Sequence, residues 1–131
     1  MIRVILTAHL RLATAFRQVA ESLSLPPNRL VAVDLAAGDS PESLHNALAK
    51  VIDTNQPTVL MTDIYGGTPW QVAVSLASQP VNQGQLAVVS GMNLAMILEA
   101  CLGPDQESLG EAIKRIVNAA GDSIRVWPDQ K

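Results

Sequence analysis

The sequence predicts an α/β fold: a doubly wound, mainly parallel sheet of four strands with helices on both faces. Three observations carry that expectation. Short apolar runs alternate along the chain with segments whose apolar residues recur every three or four positions. The strand runs are nearly continuous in hydrophobicity, residues 2–8 most clearly, as befits strands covered on both faces. Aromatic residues make up only 3% of the chain, so the core must be built from Leu, Val, Ile and Ala, which suits helix-and-sheet layers better than an aromatic-rich sandwich.

Residues 2–8 form the first expected strand, with His9 at its C-terminal end. Leu12, Phe16, Val19, Ala20 and Leu23 then recur at helical spacing, with Arg11, Arg17, Gln18 and Glu21 opposite, and Pro26-Pro27 ends that helix. Leu30 to Leu35 is a second strand containing Asp34. Gly38-Asp39-Ser40-Pro41-Glu42 reads as a helix start, with a cap, a proline at the first position and an acid in the first turn. Leu44, Leu48, Val51 and Ile52 form its apolar face.

The third strand, Thr58 to Thr62, leads through Asp63 into Gly66-Gly67. Thr68 is expected as the N-cap of the next helix and Pro69 as its first residue, where no N–H is needed. Val72, Ala73, Leu76 and Ala77 share one face of that helix, which stops before Pro80. Residues 85–90 are a fourth strand, and Asn93 is a cap for a helix from Leu94 to Cys101 that Gly103-Pro104 stops. Ala112, Ile113, Ile116 and Val117 mark a last helix, closed by Gly121. Residues 123–127 read as a fifth short strand, at the sheet edge or paired with another subunit, because Trp127 is costly to leave exposed.

The length predicts a single domain, residues 1–131, with no repeat, linker or low-complexity segment. A net charge of −3 and no basic run argue against nucleic acid and anionic membrane as partners. The one cysteine, Cys101, excludes an internal disulfide and leaves too few ligands for a Cys/His metal site; it reads as a small buried apolar residue. No stretch approaches the ~20 apolar residues of a membrane span, and the N-terminus enters a strand pattern without a signal-peptide layout. A cytoplasmic location is expected.

Doubly wound sheets bind ligands beyond the C-terminal ends of their strands. Those ends carry His9, then Gly38-Asp39, then Asp63 with Gly66-Gly67-Thr68, then residues 90–93. One histidine and one aspartate thus share an edge, on strands that could be neighbours. A carboxylate accepting a hydrogen bond from one imidazole nitrogen fixes the tautomer and frees the other as a nucleophile. His9 also lies at the mouth of its own helix, where the dipole favours an anion. His45 falls on the polar side of its helix and reads as solvated surface, and Asp39 reads as a helix-cap acid.

Several chemistries fail on absent residues. No lysine follows a glycine loop, no Gly-x-Gly-x-x-Gly follows the first strand, and no Gly-x-Ser-x-Gly elbow is present. A phospho-aspartate site needs acids at the first strand end, which instead reads Thr7-Ala8-His9. What remains suits transient phosphorylation of a histidine with no nucleotide, cofactor or metal. Helix N-termini, the Gly66 and Gly67 amides and the Thr68 hydroxyl could hold the phosphate. Taken alone, the glycine loop could equally be an ordinary strand-to-helix turn.

Three blocks, Ile5-Leu6-Thr7-Ala8-His9, Thr62-Asp63-Ile64-Tyr65-Gly66-Gly67-Thr68-Pro69 and Ser90-Gly91-Met92-Asn93-Leu94, occur in this order. In them the chain resembles the mannose-type (mannose/fructose/sorbose) enzyme IIA component of the bacterial sugar phosphotransferase system. The resemblance implies that His9 accepts phosphate from phosphorylated HPr and passes it to an enzyme IIB component, with an indirect link to a membrane sugar permease. It implies that Asp63 orients His9 and that Gly66, Gly67 and Thr68 stabilise the phosphorylated ring. It also implies a homodimer in which residues 123–127 cross to the partner's sheet. The sequence ends at Lys131 without a IIB domain, so a separate IIB polypeptide is expected.

The family usually has glycine directly after the histidine, where this chain has Leu10. That departure keeps two other readings in play. One is a regulatory docking module of the same fold with weak or no phosphotransfer. The other is a binder of some unrelated anion.

Overall fold

Four strands, β1 (Arg3–His9), β2 (Leu30–Leu35), β3 (Thr58–Thr62) and β4 (Leu86–Val89), form one sheet in the order β2-β1-β3-β4. All three ladders are parallel. The computed structural model describes residues 1–23 and 29–130. Helices α1 (Leu12–Ser22), α2 (Pro41–Val51), α3 (Thr68–Ala77), α4 (Leu94–Cys101) and α5 (Leu109–Asp122) connect or follow the strands, with a short 3₁₀ turn at Pro80–Asn82.

Side chains alternate across each strand, and both faces are covered. Val4 and Leu6 of β1 with Val59 and Met61 of β3 pack under Ala13 of α1, Ile97 of α4 and Ile116 of α5. Ile5 and Leu60 point the other way, under Leu44 and Leu48 of α2 and Val72 and Leu76 of α3. Cys101 is buried in the first of these layers, and burial pushes its thiol pKa up, so it acts as core rather than nucleophile.

The chain steps from β1 outward to β2 and then crosses back to β3 on the other side of β1. The strand order therefore reverses between β1 and β3, and crevices in open α/β sheets form at such a reversal. Thr7 pairs with Thr62 in the β1–β3 register, so His9 and Asp63 emerge side by side at this point.

Helix starts follow side-chain chemistry. Ser40 accepts from the Ser43 amide at 3.1 Å, Asn93 from Met96 at 2.9 Å, and Ser108 forms a reciprocal box with Glu111. Helix α1 is different, because its N-cap is Arg11 and makes no side-chain cap. Asp34 of the neighbouring strand supplies the acceptor, taking the Thr14 amide at 3.0 Å and the Thr14 hydroxyl at 2.5 Å. Its carboxylate meets a first-turn N–H that has no acceptor inside the helix.

Several expectations need correction. Residues 123–127 add no edge strand to this chain's own sheet, and Ile124, Val126 and Trp127 are exposed. Helix α5 runs through Gly121 to Asp122 rather than closing at the glycine. Helix α1 ends at Ser22, and Pro26-Pro27 lies outside the described residues.

Candidate functional site

His9 is the last residue of β1, and Asp63 directly follows β3. The His9 Nδ1–H donates to Asp63 Oδ2 at 2.7 Å, and the His9 amide donates to the same oxygen at 2.9 Å. The other oxygen, Oδ1, accepts from the Ile64 amide at 2.9 Å. Burial works to raise the Asp63 pKa, but the His9 amide, the imidazole and the Ile64 amide outweigh it and hold the carboxyl below its ordinary value. The ionised carboxylate therefore places the imidazole proton on Nδ1 and leaves the lone pair on Nε2. The side chain of Asp63 is sheltered, at 13% exposure, whereas that of His9 is 46% exposed.

The glycine loop runs beside the ring, and its two glycines serve different needs. Gly66 has φ +83°, a left-handed conformation that a side chain strains. At Gly67 the constraint is space: a Cβ there would lie 3.1 Å from His9 Cε1 and 3.0 Å from Ile64 Cγ2. Gln71 of α3 donates its side-chain amide to the Gly66 carbonyl at 2.8 Å and ties the loop to the helix. Tyr65 and Trp70 pack ring against ring, with centroids 4.9 Å apart.

Thr68 is not the N-cap. Gly67 takes that position in extended conformation, Thr68 is the first residue of α3, and Pro69 is the second. The Gly67 carbonyl starts the helix by accepting from the Gln71 amide at 3.0 Å, so the threonine cap bond is not made. The N-terminus of α3 is thus aimed at the same crest as His9, with first-turn amides that have no intrahelical acceptor.

The turn joining β1 to α1 passes through Leu10, whose φ is +55°. Its amide donates to the Leu35 carbonyl at 2.7 Å, so the end of β2 holds the turn. Nothing in a leucine announces such a conformation in sequence. Gln71 also escaped notice, because a lone glutamine on a helix surface carries no motif.

The other candidates sit apart from this pair. His45 is half-buried between α2 and α3, with Gln79 Nε2 3.5 Å from its Nε2, rather than on solvated surface. It lines a groove of about 280 Å³ with Glu42, Thr68, Gln71 and Ser75. Asp39 accepts from the Ala36 amide inside the β2–α2 turn, and the cap is its neighbour Ser40. After β4, the Met92 amide donates to the Thr62 carbonyl, so that segment braces the end of β3. Among the described residues, no three His, Cys, Asp or Glu side chains gather as a metal site, and no helix is long and apolar enough to cross a membrane.

The fold and the pair define an α/β protein with a carboxylate-oriented histidine at the switch point of a parallel sheet. The chain belongs to the PTS system fructose IIA component family, whose model matches residues 3–117. It is 25% identical over 130 residues to the fructose-specific EIIA component of Bacillus subtilis (strain 168), covering 96% of this chain and 86% of the relative. It is 23% identical over 116 residues to the sorbose-specific EIIA component of Lacticaseibacillus casei, covering 87% and 82%. The crystal structure of phosphotransferase system component EIIA from Streptococcus agalactiae superposes with a TM-score of 0.89, at 26% identity and with 97% and 98% of the two chains covered.

Proposed function

We propose that this chain is a phosphohistidine carrier of the sugar phosphotransferase system, with His9 Nε2 as the phosphoryl acceptor. The observation that carries this reading is the 2.7 Å contact between Nδ1 and a sheltered, ionised Asp63 beside an exposed ring. In the forward step the Nε2 lone pair attacks phosphorus of a phosphorylated donor, HPr. The bond from phosphorus to the donor's leaving atom breaks, and its electron pair stays with that atom. The positive charge that develops on the imidazole is balanced by Asp63, with the proton retained on Nδ1. Gly66, Gly67 and Thr68, at the N-terminus of α3, hold the phosphoryl oxygens. The reverse geometry then delivers the group to an enzyme IIB component on a separate polypeptide, for a sugar taken up by a membrane permease. Because the group arrives already activated, positioning accounts for most of the catalysis.

The reading includes a cytoplasmic location, one domain over residues 1–131, and a homodimer in which residues 123–127 join the partner's sheet. The 93% exposure of Trp127 supports the last point, since a large apolar ring left in water favours a covering partner. Incubation with enzyme I, HPr and phosphoenolpyruvate, followed by intact mass measurement, is the test. The expected result is one acid-labile phosphoryl group that disappears in His9→Ala. No mass shift with a competent HPr would overturn the proposal. Leu10, exposed beside the histidine, favours a second reading: a regulatory docking module of the same fold with weak or no phosphotransfer.

A further inference from the structure

We infer that Leu10 is a specificity-determining contact for the phosphorylated protein that docks over His9. The inference rests on the reading of His9 as the phosphoryl acceptor. Among the described residues, Leu10 is the one non-glycine with positive φ; Gly38, Gly66, Gly84 and Gly91 occupy the other such positions. A leucine strains this backbone conformation, and strain of this kind persists where the surroundings or the function require it.

The turn itself does not require leucine. Its hydrogen bond to the Leu35 carbonyl comes from the backbone amide, which any residue but proline supplies. Nor does the core require it, because the side chain is 60% exposed. The leucine belongs instead to a rim of exposed apolar residues that neighbour His9 in the chain and in the glycine loop. Ile64, more than half exposed, brings its Cγ2 against the same point beside Gly67 that His9 Cε1 approaches, and Tyr65 follows it in the loop, also exposed. Leu12, at the first position of α1, is a further exposed apolar residue close to His9 in the chain.

The chemistry identifies what covers this rim. Transfer requires phosphorus within about 3–3.5 Å of Nε2. A protein donor that brings its phosphoryl group this close must lay its surface over the residues flanking His9, and Leu10 is covalently next to it. A small phosphoryl donor would touch only the ring and the helix amides. The partner is thus the protein donor of that reading, with Leu10 as one of the side chains desolvated on docking.

The test compares phosphorylated HPr with phosphoramidate as donors for the full chain and for Leu10→Gly, Leu10→Asn and Leu10→Met. Asparagine tolerates the left-handed backbone but is polar, and methionine restores apolar bulk. The expected result is a fall of about tenfold in the ratio of kcat/KM for HPr to that for phosphoramidate in the Gly and Asn variants. The fall should come from KM, and the Met variant should recover the ratio. An unchanged or higher ratio in both Gly and Asn variants would overturn the role of Leu10 while leaving His9 as acceptor. Wild-type protein phosphorylated by neither donor would overturn the reading of His9, and this inference with it.

Discussion

Asp63 holds His9 at two points with a single oxygen: Oδ2 accepts the imidazole Nδ1–H at 2.7 Å and the main-chain N–H of the same histidine at 2.9 Å. Side chain and backbone of His9 are thereby fixed relative to one another. The ring cannot rotate about its own bonds without breaking a charge-assisted contact. The tautomer and the direction of Nε2 thus follow from one residue directly after the neighbouring strand.

If His9 is the phosphoryl acceptor, replacing Asp63 with asparagine removes the charge that balances its phosphorylated imidazolium. Phosphorylation of His9 should slow by about a hundredfold or more, measured as the initial rate of mass shift with phosphorylated HPr.

The same substitution has a pH signature. The folded pKa of Asp63 lies below its ordinary value of 3.8, so folding favours the ionised form. That stabilisation is complete above the unfolded value and is lost as pH falls through the lower, folded one. Denaturant melts of wild type and Asp63→Asn should differ most near neutrality and converge in acid below that value. A gap that persists unchanged to low pH would contradict the assignment.

The two loop glycines should fail in different ways. Gly66→Ala forces a side chain into a left-handed conformation and should cost about 1–2 kcal/mol of stability. Gly67→Ala puts a methyl group against His9 Cε1, so its main effect should be on the ring. With His9 as the proposed acceptor, displacement of Nε2 by a fraction of an ångström to an ångström should reduce the phosphorylation rate by about ten- to a hundredfold. Urea melts and transfer rates on both variants separate the two outcomes.

Leu10→Gly should stabilise the fold. Relief of left-handed strain, about 1–2 kcal/mol, is partly offset by the roughly 0.5–1 kcal/mol that glycine adds in unfolded freedom. A net gain of about 0.5–1 kcal/mol should appear as a Tm rise of about 2–6 °C.

Asp34 holds α1 through Thr14, and Asp34→Ala should cost about 1–2 kcal/mol, as loss of a helix cap does. Because α1 begins three residues after His9, hydrogen exchange in its first turn should accelerate in the same variant.

The sheet and its helices were legible because they follow local patterns. Leu30–Leu35, Thr58–Thr62 and Leu94–Cys101 match the expected bounds, since apolar continuity, Gly-Pro punctuation and the Asn93 cap are written within a few residues. The tail shows the complementary limit: residues 123–127 have strand composition but add no edge strand to their own sheet, because a strand exists only where a ladder partner does. Thr68 was misplaced because a threonine before a proline is a good cap in isolation, while here the extended Gly67 carbonyl already begins the helix.

The sequence by itself determined the alternation of elements, the strand end that carries His9, the acid and glycines of the loop, and the resemblance that united them. The tertiary structure alone decided that β1 and β3 are neighbours across the reversal of strand order, bringing side chains 54 residues apart into contact at 2.7 Å. It also decided that Asp63 grips Nδ1 rather than Nε2, that Asp34 caps a helix from another strand, and that Leu10 is left-handed. The physical reason is range. Hydrophobic period and turn chemistry act between residues close in the chain, whereas tautomer, ring direction and backbone strain depend on groups that only the assembled sheet brings together.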